Sequence, residues 1–156
     1  MKSFIGLTPE ETSLSAKYLS KLLANTYLLA LKTQNYHWNV KDPSFIMLHE
    51  FFGSHYEELS EVIDEVAERI QMIGHKTPAT FSQFLELTSL SEETAAQTRV
   101  DMVEDLLKGH ETIIIELREM LQALDKSNDE GTIDFFIGRL RAHEKMSWML
   151  RSHVTK

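Results

Sequence analysis

An all-α bundle of four long helices, with a short extra helix in one connection, is the fold this sequence predicts. Three observations predict it. Gly and Pro number only six and three and leave long uninterrupted stretches. Apolar residues recur through those stretches at three- and four-residue spacing, the period of a helix face. The breaks divide the chain into a short turn, a long connection and another short turn, which is bundle connectivity. A chain of 156 residues is most simply one domain, 1–156, large enough to bury a core without staples.

The first helix opens at Thr8-Pro9-Glu10-Glu11, which combines capping-box spacing, a Pro at the first helical position and acids in the first turn. It is expected to run to about Trp38. Leu14, Tyr18, Leu22, Thr26, Leu29 and Thr33 share one side, and Leu19, Leu23, Leu28 and Leu31 widen the apolar surface. A helix that apolar is buried on more than one side.

The second helix is expected from Asp42-Pro43 to Gly74, again with Pro just inside and Gly just past the end. Leu48, Phe52, Tyr56, Leu59, Ile63, Val66, Ile70 and Ile73 make the clearest amphipathic stripe in the chain. Thr77-Pro78 then leads into a short apolar helix over Phe81 to Leu87, followed by a Ser/Thr break to Thr94. The third long helix is expected over about Ala95 to Leu124, with Thr98 as one possible start. Met102, Leu106, Ile113, Leu117, Met120 and Leu124 form its core side. A polar turn precedes the fourth, from about Thr132 to His153, with Ile133, Phe136, Ile137, Leu140, Met146 and Met149 inward. The long connection lets the second and third long helices run the same way, as in ferritin-like bundles. The competing fold is an adaptor- or cytokine-like four-helix bundle, and the small extra helix favours the ferritin-like one.

Composition narrows the function classes. There is no Cys, which excludes disulfides and thiolate metal sites and makes a reducing compartment the natural home. The opening MKSFIGLTPEE has no apolar signal region. No run reaches the roughly 20 apolar residues of a membrane span. Even Tyr18 to Leu31 is interrupted by Ser20, Lys21, Asn25 and Thr26. A soluble cytoplasmic protein with no membrane partner is expected. The formal net charge of −8 repels phosphate backbones and makes cations the more natural ligands.

His37, His49, Asp64 and Glu68 carry the chemistry. Two imidazoles followed by two carboxylates suit a divalent transition metal such as iron or zinc, whereas magnesium or calcium prefers oxygen alone. Asp64 follows His49 by 15 residues on one expected helix, so their Cα atoms lie about 22 Å apart. If all four are ligands, the site lies between two subunits. His37 and His49 fall at one end of an antiparallel hairpin, Asp64 and Glu68 toward the other, and a two-fold dimer would join unlike ends. Each half also has a plainer reading. Glu57, Glu61, Asp64 and Glu68 form an ordinary solvated stripe, and a His beside a Trp at a helix end can simply pack.

Other chemistries find no footing. No Glu is followed by His three residues later, so the Glu-x-x-His pair of intrasubunit di-iron bundles is absent. His-Glu-x-x-His, a Gly-rich phosphate loop, a Gly-x-Ser-x-Gly elbow and a Cys nucleophile are absent too.

Three segments carry a family resemblance: Asn35-Tyr36-His37-Trp38-Asn39-Val40, Phe45-Ile46-Met47-Leu48-His49-Glu50 and Asp64-Glu65-Val66-Ala67-Glu68-Arg69-Ile70. With the closing His143-Glu144-Lys145-Met146-Ser147-Trp148-Met149-Leu150, the sequence resembles the Dps proteins, mini-ferritins named for DNA protection during starvation. The resemblance implies a hollow homododecamer that oxidises Fe(II), preferably with hydrogen peroxide, at two-fold interfaces and stores ferric mineral. It implies ligation by His37 and His49 of one chain and Asp64 and Glu68 of its neighbour, with zinc able to substitute for iron. Trp38 would pack beside the site and intercept oxidising equivalents. Asp129 and Asp134 match acids that line iron-entry pores in the family, although acids at a turn and helix start also serve as ordinary caps.

Two departures stand out. Family members commonly carry an Asp four residues after the second His, where this chain has Gly53. A helical Gly costs about 1 kcal/mol against Ala, and this one also removes a carboxylate. Glu50, Ser54 or His55 are the neighbours placed to compensate, and Gly53→Asp is expected to strengthen iron binding. DNA-binding members also carry a Lys-rich N-terminal tail. Here only Lys2 precedes Lys17, and Arg151 and Lys156 make the C-terminus weakly basic, so direct DNA binding is not expected. The expected function is a ferroxidase and iron-storage shell that limits oxidative damage. Its alternatives are a DNA-coating nucleoid shell with an inactive iron site, or a shell with a sensing or adhesive role.

Overall fold

The computed structural model describes residues 5–93 and 95–154. Lys2, Thr94 and Lys156 lie outside the described residues. Five helices follow in order: α1 Pro9–Asn39, α2 Phe45–Met72, α3 Phe81–Leu87, α4 Arg99–Ala123 and α5 Glu130–Val154.

Local chemistry sets most of their ends. The Thr8 hydroxyl accepts from the Glu11 N–H while Glu11 accepts from the Thr8 N–H, so α1 begins with the expected capping box. Thr98 and Asp101 repeat that exchange, which starts α4 at Arg99 rather than Ala95. Expected boundaries shift at two more places. Asp42 accepts from Ser44 N–H on its side chain and from Phe45 N–H on its carbonyl. The resulting turn holds Pro43 outside the helix, and α2 starts at Phe45. Asp129 Oδ1 accepts from Thr132 N–H, capping α5 and starting it at Glu130. At the end of α2, Gly74 has φ +87°. Gly74 N–H donates to Gln71 C=O and His75 N–H to Ile70 C=O, a Schellman stop that needs the left-handed residue.

Two helical hairpins, α1–α2 and α4–α5, pack together, and α3 lies against α1. Asn25 meets Glu116 near the middle of α1, whereas Tyr36 near its end meets Asp105. Rising numbers on α1 thus pair with falling numbers on α4, so those two run antiparallel. Since α1 and α2 form a tight hairpin, α2 and α4 run in the same direction. The long connection makes this possible, and Asn25 holds it in place by accepting from the Thr88 hydroxyl and the Ser89 N–H.

Leu19, Leu22, Leu48, Phe52, Leu59, Leu106, Leu117, Phe136 and Leu150 are among the fully buried side chains of the core. Each such burial contributes roughly 1.5–3 kcal/mol. Ile137 was expected inward but is 40% exposed. The inward stripe of α5 passes instead through Phe136, Arg139 and His143. Among the described residues no helix is long and apolar enough to cross a membrane.

Candidate metal centre

His37 on the last turn of α1 and His49 on the second turn of α2 face each other across the hairpin. Their rings stack with centroids 3.7 Å apart. His37 Nδ1 lies 2.6 Å from the His49 carbonyl oxygen, and His49 Nδ1 lies 2.9 Å from the His37 carbonyl oxygen. A carbonyl only accepts, so both Nδ1 atoms carry a proton, and in the neutral ring that leaves the lone pair on Nε2. Neutral imidazole in this tautomer, held by a backbone carbonyl, is the form that ligates metals. Phe45 stacks on His49 at 5.1 Å, and Tyr56 meets His37 edge-on at 5.2 Å.

Gly53 explains how the pair fits. A Cβ built there would lie 3.3 Å from His37 Cε1 and 3.4 Å from its Nδ1. The missing side chain gives the imidazole its place. The proposed compensating neighbours are otherwise engaged or turned away. Ser54 donates its hydroxyl to the Phe51 carbonyl. His55 packs on Phe51 and faces His110 inside the bundle. Glu50 is exposed.

Asp64 and Glu68 are exposed on α2, one turn apart. Among the described residues no three His, Asp or Glu groups already converge as a metal site. The structure therefore brings the two imidazoles together and leaves the two acids apart from them. Apolar side chains are exposed close to both halves. Trp38 is 61% exposed beside His37, and Phe45, Ile46 and Met47 are also exposed. Next to the acids, a groove of about 520 Å³ is lined by Tyr27, Leu31, Ile63, Phe81 and Leu85. Phe84 lines it as well and stacks on Tyr27 at 4.5 Å.

Residues 16–156 match the family model of the ferritin-like domain. A DNA protection during starvation protein of Bacillus anthracis is 39% identical over 138 residues, covering 88% of this chain and 94% of its own. The chain belongs to the Dps family of ferritin-like proteins. A low temperature-induced protein of Nostoc sp. is also 39% identical, over 152 residues, covering 96% of this chain and 85% of its own. The crystal structure of a Vibrio cholerae Dps protein, described as a member of the ferritin-like diiron-carboxylate superfamily, superposes with a TM-score of 0.93. It shares 30% identity and covers 99% of this chain and 97% of its own.

In this Dps chain the two remaining acids have different surroundings. Asp134 is exposed. Asp129 is buried at 2% exposure, and Arg69 Nη2 donates to its Oδ1 at 2.6 Å. Burial would raise its carboxyl, but the nearby Ser15 hydroxyl, the hydrogen bond from Thr132 and the Arg69 charge leave it below the usual range. Gly131 makes room for this pair, since a Cβ there would lie 2.8 Å from Arg69 Nη2. Asp129 thus caps α5 and anchors it to α2.

Sequence reasoning missed Tyr56 and Phe45 as neighbours of the imidazoles. It also missed three buried His residues, His55, His110 and His143. A signal existed: His110 sits four after Leu106 and three before Ile113, on the inward stripe of its helix.

Proposed function

We propose that this protein is a ferroxidase and iron-storage shell in which His37 and His49 of one chain and Asp64 and Glu68 of a neighbour hold Fe(II). The observation that carries the reading is the reciprocal His37–His49 hydrogen bonding. It presets two Nε2 donors on a hairpin end where, among the described residues, no carboxylate completes a metal site. The exposed apolar surface supports a two-fold partner. Trp38, Phe45, Ile46 and Met47 surround the imidazoles, and the groove at Ile63 adjoins Asp64. A two-fold axis that lays the hairpin end of one chain on the groove of the other joins unlike halves twice. Twelve copies arranged as in the family resemblance would enclose a cavity.

Fe(II) is the substrate. Two Fe(II) ions each give one electron to hydrogen peroxide, the O–O bond breaks, and two hydroxides leave with two Fe(III). The neutral imidazoles bind without adding charge, and the two carboxylates offset the charge that rises on oxidation. The carbonyl clamps hold both rings in place while the metal changes state. Trp38, exposed in one chain and covered in the pair, lies where it can take up stray oxidising equivalents. Asp134, exposed at the start of α5, is the acid placed to meet entering iron.

The test is complementation. His37→Ala/His49→Ala and Asp64→Ala/Glu68→Ala shells should each lose peroxide-driven Fe(II) oxidation in stopped flow. Each mixed two-fold pair contains one intact site, so random co-assembly should restore about a quarter of wild-type sites. Verified mixed shells that stay inactive would overturn the shared site.

A further inference from the structure

Tyr36 is a buried phenol that the iron chemistry described so far does not use. It is 1% exposed and sits on the last turn of α1, directly before His37. Its hydroxyl donates to Asp105 Oδ2 of α4 at 2.5 Å, the short end of the range for a hydrogen bond to a carboxylate. Lys32, one turn earlier on α1 and itself 8% exposed, donates to the same carboxylate, 3.0 Å from Oδ2 and 3.2 Å from Oδ1. Any hydrogen bond would serve to fasten α1 to α4. What singles this one out is an oxidisable ring whose proton already rests on a base, beside a proposed ligand.

The other oxidisable rings near the imidazoles lack that base. Tyr56 meets His37 edge-on at 5.2 Å, but among the described residues its hydroxyl has no hydrogen-bond partner. Trp38 is 61% exposed, and its indole N–H has no partner among them either. Loss of an electron makes a phenol strongly acidic, so oxidation is easiest where a base within hydrogen-bond reach takes the proton as the electron leaves. Tyr36 alone of the three meets that condition.

Building on the ferroxidase reading, we infer that Tyr36 is a redox-active residue of that site, supplying the second electron to hydrogen peroxide when only one Fe(II) is bound. Peroxide needs two electrons to break its O–O bond cleanly. A site holding one Fe(II) is one electron short, and the shortfall would otherwise leave as a hydroxyl radical. Gly53 withholds a carboxylate from the imidazole end, which favours that singly loaded state. In the step, Fe(II) and Tyr36 each give one electron, and the O–O bond breaks to two hydroxides. Fe(III) forms, and the phenol proton passes from Oη to Asp105 Oδ2, leaving a neutral phenoxyl. A later Fe(II) returns an electron to the phenoxyl, which takes its proton back from Asp105. Lys32 favours the ionised carboxylate, so it keeps the base available and promotes that return. The electron path is short, since Tyr36 and His37 share one peptide bond and consecutive Cα atoms lie about 3.8 Å apart.

The experiment uses the assembled full chain, loaded with substoichiometric Fe(II), mixed with hydrogen peroxide and freeze-quenched for electron paramagnetic resonance. Wild type should give a phenoxyl signal that narrows when the chain carries ring-deuterated tyrosine. Tyr36→Phe should lose it and raise the yield of spin-trapped hydroxyl radical, with helicity and shell mass unchanged. Asp105→Asn, which keeps the tyrosine but removes the base, should lose the signal too, and it carries the test if Tyr36→Phe does not assemble. Tyr56→Phe should retain it. A wild-type shell that oxidises no Fe(II) with peroxide would sink the ferroxidase reading and this inference with it. Fe(II) oxidation without a phenoxyl, a signal undiminished in Tyr36→Phe or in Asp105→Asn, or one lost in Tyr56→Phe alone would overturn the role of Tyr36 and leave the ferroxidase reading standing.

Discussion

Gly53 lies directly beside the imidazole of His37, where a Cβ would approach Cε1 to 3.3 Å. That ring is also tied by the bond from Nδ1 to the His49 carbonyl, so it has little freedom to retreat. From the sequence alone, Gly53→Asp is expected to gain iron affinity. The structure adds a displacement of His37 that opposes it. Gly53→Ala isolates this cost: the helix gains up to about 1 kcal/mol of propensity, while the ligand shifts. We expect several-fold slower Fe(II) oxidation in Gly53→Ala, and no gain over wild type in Gly53→Asp, by stopped flow. A faster Gly53→Asp shell would mean that His37 yields easily.

Apolar exposure around α3 leads to a second prediction. Phe81 is 80% and Leu31 58% exposed. Wild type should elute and scatter light as a shell of about twelve chains. Leu31→Glu/Phe81→Glu should shift the mass toward one or two chains with helicity intact. A full shell in that variant would place the interface elsewhere.

Asp129 and Asp134 should separate by stability. Removing Asp129 strips the α5 cap and leaves Arg69 unanswered, so Asp129→Ala should cost about 3 kcal/mol in chemical denaturation. Asp134 is exposed, and Asp134→Ala should change stability by less than about 0.5 kcal/mol. If Asp134→Ala instead slows iron uptake at unchanged stability, the two acids have divided the structural and entry roles between them.

Acid should unfold the bundle through its buried imidazoles. The folded chain holds His55 near 4 and His143 near 3, both below the ordinary 6.5 of an unfolded chain. Above 6.5 both states are unprotonated and the groups contribute no pH dependence. As pH falls from 6.5 toward 3, the unfolded chain takes up protons that the folded chain refuses, and stability is lost. The loss is on the order of a few kcal/mol per group. His143→Gln should flatten that slope in denaturant titrations at stepped pH, and an unchanged slope would assign the acid sensitivity to other groups.

Much of this architecture was legible because local chemistry wrote it. Thr8 and Glu11, Thr98 and Asp101, and Gly74 each mark an end by a hydrogen bond or a φ that few other residues provide. The Leu48 to Ile73 stripe marked its face by period alone. Pro43 misled because Asp42 spends its acceptors on a turn before the helix starts. His37 and His49 were legible as a pair from hairpin geometry. The tautomer they adopt was not, since it depends on backbone carbonyls that approach only when the hairpin closes. The buried imidazoles were hidden for a different reason. Histidine on an inward stripe reads like any polar interruption until three helices bring such interruptions together.

The crossed bonds between His37 and His49 make the two proposed ligands one genetic unit. Each ring is steadied by the other residue's main chain, and each main-chain position is steadied by the other's ring. Replacing either His leaves the surviving ring its carbonyl partner but removes the bond that steadies the survivor's own main chain, so each single substitution should loosen both positions. A residue inserted anywhere in the Val40–Ser44 loop would part both bonds at once. In the proposed site the length of that loop is constrained by coordination chemistry, although none of its side chains need ever touch the metal.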